Sequence, residues 1–126
     1  MKRILQFALA ACFVLCAACL FSQAVGTIDS SFGTNGRVYL PDLNYNLTVE
    51  KMKVLPDGKM LVLYSESTYG AAINFSYLTR FNADGTIDNT FATGGTYNMR
   101  AEGLYAKHFV VNANGKIGIL GVSLNT

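Results

Sequence analysis

Gly26-Thr27-Ile28-Asp29-Ser30-Ser31-Phe32-Gly33-Thr34-Asn35-Gly36 returns 59 residues later as Gly85-Thr86-Ile87-Asp88-Asn89-Thr90-Phe91-Ala92-Thr93-Gly94-Gly95, with seven of the eleven positions identical. A second pair follows in the same order. Val54-Leu55-Pro56-Asp57-Gly58-Lys59-Met60 is matched 57 residues on by Val111-Asn112-Ala113-Asn114-Gly115-Lys116-Ile117. Two blocks recurring in order define a tandem repeat, in which each unit is one supersecondary element that buries its faces on its neighbours. Residues 25–84 form the first unit. Residues 85–126 form a second, which ends before the equivalents of 73–84.

Each unit reads as four short strands, and the first copy shows them best. Residues 37–40 form a weak first strand, and 51–55 and 59–64 flank the Pro56-Asp57-Gly58 turn. Asp57-Gly58 is expected to supply the positive φ angles of a tight hairpin. Residues 73–81 alternate, with Phe75, Tyr77, Thr79 and Phe81 on one side and Ser76, Leu78 and Arg80 on the other. Period-two alternation rich in aromatics predicts a strand with one buried face. In the second copy, 106–111 and 116–122 flank Asn114-Gly115. Residues 59–64 carry apolar side chains on both faces, as a strand sandwiched between layers does. Four antiparallel strands in about 60 residues suit a propeller blade; a stacked solenoid normally uses shorter coils. The expected fold is all-β, made of blade-like units.

Upstream, Met1-Lys2-Arg3 precedes an apolar run to Phe21, and Ser22-Gln23-Ala24 sets small residues at −3 and −1 of a cut after Ala24. This is the layout of a secretory signal peptide over 1–24, so Val25 is the expected first residue of the mature protein. An uncleaved anchor and lipidation at Cys19 are the alternatives. All three cysteines lie in this segment, and residues 25–126 hold eight basic and eight acidic side chains. That balance argues against a nucleic-acid binder, and the absence of cysteine argues against a disulfide scaffold. No membrane role is expected after cleavage.

The three ordered blocks, completed by Arg80-Phe81-Asn82-Ala83-Asp84-Gly85, resemble the delta-60 repeat family of large secreted bacterial proteins. The resemblance covers residues 26–126. Ala92 replaces a glycine of the family pattern, Ala113-Asn114 replaces its Pro-Asp, and Tyr64 stands where Gly121 keeps the usual glycine. The resemblance implies propeller-like strand order and carries over no catalytic residue.

The candidate positions are therefore structural. Asp29 and Asp88 are expected to tie the turn between units to backbone amides, with Arg80 pairing one of them. Phe32 and Phe91 are expected to be fully buried plugs of the seam between units. Asp57, Gly58, Asn114 and Gly115 shape the hairpins. His108, the only histidine, lacks a second soft ligand or a nucleophile turn, and the Asn82 to Asp88 run is short of the ligands of a calcium loop. No metal, cofactor or catalytic residue is expected. The chain reads as a secreted or cell-surface, non-catalytic binding or structural scaffold for an extracellular ligand or protein, and as the N-terminal piece of a longer propeller whose further repeats are its partners. The alternative is part of a propeller enzyme whose site is built by blades outside this chain.

Overall fold

The computed structural model describes residues 26–40, 46–67 and 74–124, so the leader with Cys19 and the cut before Val25 lie outside the described residues. The fold is all-β. Strands β1 (Asn46–Val54), β2 (Met60–Ser67), β3 (Asn74–Phe81) and β4 (Thr96–Asn98) form one antiparallel sheet in that order. After a 3-10 turn over Arg100–Glu102, β5 (Leu104–Val111) pairs with β6 (Ile117–Ser123) in a second, two-stranded sheet.

The repeat is written into the hydrogen bonds. Leu55 N–H donates to Lys59 O at 2.7 Å and Gly58 N–H to Leu55 O at 3.0 Å; Asn112 to Lys116 and Gly115 to Asn112 do the same at 3.0 Å each. The turn at Asn82-Ala83-Asp84-Gly85 makes this pair of bonds a third time, at 2.8 and 3.0 Å. The expectation for Asp57-Gly58 needs correction. Only the glycine is left-handed, at φ 82° for Gly58 and 75° for Gly115, which is the signature of a type I turn closed by a glycine bulge. The Asp57 carboxylate instead accepts the Lys59 N–H at 3.1 Å. Both leading strands also bulge at one equivalent place, between Val49 and Lys51 and between Ala106 and His108.

The weak strand expected at 37–40 is absent. Arg37 makes only isolated bridges to Gly33 and Thr34. Its equivalents in the second unit, Thr96–Asn98, are β4, and they pair with Thr79, Leu78 and Tyr77 of β3. The second opening block thus contributes its strand to the sheet of the first unit, so sheet and sequence repeat are out of phase. The reason is not local, since Asn35 and Gly36 (φ 53° and 78°) turn the chain as Gly94 and Gly95 (φ 61° and 85°) do; only the second block has β3 upstream of it to pair with.

Pairing and pleat divide the first sheet into two faces. Leu61, Leu63 and Leu78 lie on its front, where the β5–β6 hairpin covers them; Met99, Ala106 and Phe109 complete that core and all six are at most 1% exposed. Strand β3 is consequently buried on both faces rather than one, with Ser76, Leu78, Thr79 and Phe81 all closed to solvent. The polar Ser76 is accommodated because its hydroxyl bonds both Ala106 N–H (2.9 Å) and Ala106 O (3.2 Å).

One departure from the repeat carries a measurable strain. Ala92 holds φ 46° where Gly33, its equivalent, holds 57°. The left-handed region costs a non-glycine residue about 1–2 kcal/mol, and glycine gives back part of that in unfolded-chain entropy. Ala92→Gly should therefore stabilise the protein by about 0.5–1 kcal/mol in urea unfolding, the reverse of the usual sign for Ala→Gly.

Candidate functional site

Asp88 is the junction of the first sheet with the second opening block. Its Oδ2 lies 2.7 Å from both Lys59 Nζ and Arg80 Nε, while Oδ1 accepts Thr90 N–H at 3.1 Å and Thr90 Oγ1 at 2.6 Å. The carboxylate is 4% exposed against 31% and 24% for its two cations. Hydrogen bonding from Lys59, then from Thr90 and Arg80, holds its carboxyl well below the usual carboxylate range. Asp29 makes the same local bonds, with Oδ1 accepting Ser31 N–H at 2.9 Å and Ser31 Oγ at 2.6 Å, but it is exposed. Repeat-equivalent aspartates thus share a turn and differ in burial.

Phe32 and Phe91 are half-buried, which corrects the expectation of full burial. Phe91 packs at the margin of the core with the Arg80 guanidinium over its ring at 4.8 Å, and Phe32 lines a groove on the back of the first sheet. A ring so placed leaves one side to solvent, so Phe91→Ala should cost about 2 kcal/mol, below the range for a closed core phenylalanine. Thermal melts of Phe91→Ala and Phe32→Ala check both positions.

A second polar seam runs along β1 and β5. The bulge residue Glu50 accepts Lys107 Nζ and Ser65 Oγ at 2.9 Å each. Burial alone would raise its carboxyl; the bonds from Lys107 and Ser65, with the Lys107 charge, outweigh that and hold it below the ordinary value. Lys51 Nζ donates to Phe109 O at 2.9 Å and lies 2.6 Å from His108 Nε2. The ammonium can only donate, so Nε2 accepts, and His108 is engaged in joining the two hairpins.

The one arrangement with chemical latitude escaped the sequence. Glu66 is 2% exposed at the end of β2, with Arg100 Nη1 at 3.4 Å from Oε1, and Oε2 has no hydrogen-bond partner among the described residues. Tyr77 stands beside it, stacked on Tyr64 at 5.4 Å, and Arg100 also covers the Phe75 ring at 4.5 Å. Burial, reinforced by the negative charge of the neighbouring Glu66, pushes the Tyr77 phenol up to about 12. Nothing in the pattern of 59–67 distinguishes Glu66 from a surface strand residue, because its burial depends on Arg100 from the next unit.

The acidic turn resolves into separate roles, since Asp84 caps Thr86 (N–H 2.9 Å, Oγ1 2.7 Å) while Asp88 faces Lys59 and Arg80. Among the described residues no three His, Cys, Asp or Glu side chains gather as metal ligands, and no helix is long and apolar enough to cross a membrane. Comparison with protein-family models, curated proteins and solved structures found no match to this chain.

Proposed function

We propose that this chain is an exported, non-catalytic scaffold of the delta-60 repeat kind, whose blade-like units stack into a rigid support for an extracellular ligand or protein. The observation that carries the reading is the use made of its charged side chains. Lys59, Arg80 and Asp88 join the first sheet to the next opening block, and Glu50, Lys51, Lys107 and His108 join the two hairpins. Charges spent on mutual pairing in this way hold elements in register.

Export is tested by mass spectrometry of the protein recovered from outside the cell. Val25 as the first residue supports it, and an intact Met1 on a cytoplasmic product overturns it. The scaffold reading is tested by calorimetric titration with extracellular glycans alongside a panel of ester and glycoside substrates. Binding without turnover supports it. Turnover abolished by Glu66→Gln or Tyr77→Phe would replace it with an enzymatic reading centred on the buried carboxylate.

A further inference from the structure

The core between the two units has an empty counterpart on the back of the first sheet. Phe32, Leu40, Val49, Met52, Met60 and Val62 line a groove of about 360 Å³ there. Through the 59- and 57-residue offsets these positions are the equivalents of Phe91, Met99, Ala106, Phe109, Ile117 and Ile119. All six of those equivalents belong to, or pack on, the filled core, where the front face of the first sheet inserts Leu61, Leu63 and Leu78. The groove is therefore the receiving side of an interface the chain already makes once.

Part of the inserting side also recurs exposed, with Leu120 at the Leu63 position and Gly118 at the Leu61 position. On the outer face of the β5–β6 hairpin, Val110, Leu120 and Val122 are 58%, 69% and 60% exposed. Leu120 is the equivalent of Leu63, the residue at the centre of the filled core. Opposite it in kind, Val49, Met52 and Val54 on the back of β1 are 57%, 58% and 57% exposed. Contiguous apolar patches of this type mark interaction surfaces. We propose that a second copy of this chain is the occupant, its outer β5–β6 face seated on the back of β1–β2 in a head-to-tail contact that continues the internal stacking.

The charges agree with that polarity. Inside the chain the front bulge residue Glu50 meets the back bulge residue Lys107 at 2.9 Å. In the contact between copies the roles exchange, with Lys107 at the front and Glu50 of the next copy at the back, opposite in sign while each keeps its partner within its own chain. A like-charged pair of bulge residues would have opposed the second interface. Because the two surfaces differ, the contact is heterologous and each copy can make it twice, so association runs past the dimer into a ring or filament.

Paired single substitutions on the full chain test this, whatever its ligand. Leu120→Asp spoils the inserting face and Met52→Asp the receiving face, and both positions are surface ones in the isolated chain, so folding survives either change. Analytical ultracentrifugation of the parent should show species larger than a dimer, and each variant alone should lose them and sediment as a monomer. An equimolar mixture of the two variants retains one intact face of each kind and should regain association that stops at a heterodimer. A parent that stays monomeric, variants that keep the size distribution of the parent, or a mixture that fails to pair would each overturn the proposal.

Discussion

Phe109→Ala is expected to lower the stability of the protein by about 3–5 kcal/mol, while Met52→Ala at the equivalent position of the first unit costs under about 1 kcal/mol. The two residues occupy the same place after the same bulge in β5 and β1. Phe109 is 0% exposed because the first sheet lies against it, and Met52 is 58% exposed because nothing among the described residues covers it. A cavity the size of a phenyl ring between two sheets cannot close without moving both, since Lys51 and Lys53 fasten β1 to the β5 carbonyls of Phe109 and Val111. Domains of this size are stable by about 5–15 kcal/mol, so Phe109→Ala alone removes a large fraction of that. Urea unfolding at low protein concentration, where contacts between copies are diluted away, measures both values. Equal costs at the two positions would mean that the hairpins do not stack as described.

This asymmetry also shows where the sequence was informative and where it was not. The turns were legible because their chemistry is local: Gly58 and Gly115 sit where only glycine takes the required φ without strain. The strands around them were legible for the same reason, although β1 begins at Asn46 and β2 runs to Ser67, beyond the expected limits of 51–55 and 59–64. The partner of a strand is a different matter. Residues 37–40 and 96–99 have similar patterns, yet only the second copy becomes a strand, because β3 lies upstream of it to pair with. Burial followed the same logic. Asp29 and Asp88 sit in the same Gly-Thr-Ile-Asp-x-x-Phe frame, and Asp88 alone is buried because Lys59 and Arg80 of the first unit reach it. Glu66 was invisible for a related reason, its burial coming from elements of another unit.

Asp88→Asn is expected to lower the melting temperature by roughly 10 °C at neutral pH, with the loss shrinking as the solution is acidified. Asparagine preserves the shape and its Oδ1 can still receive the Thr90 bonds, so the substitution removes only the charge and the acceptor that face Lys59 and Arg80. What it leaves behind is costly: two cations, 31% and 24% exposed, that converged at 2.7 Å on Oδ2 now face an amide NH2, which neither neutralises them nor accepts their hydrogen bonds. The acid dependence follows from the lowered carboxyl of Asp88, which in the unfolded chain titrates near the ordinary value of about 3.9. Between the lowered folded value and the ordinary unfolded one, the unfolded chain binds the proton more readily, so acid favours unfolding there. The contribution of the carboxylate is complete above about pH 5 and drains away as the pH falls below about 4 toward the folded value. Melting curves of the parent and Asp88→Asn should therefore lie farthest apart at pH 6–7 and approach each other by about pH 3. Lys59→Met should reproduce part of the neutral-pH loss, because Arg80 still neutralises the carboxylate from the other side. A gap between parent and Asp88→Asn that is constant from pH 3 to pH 7 would show that the ion triad is not what fixes the second opening block to the first sheet.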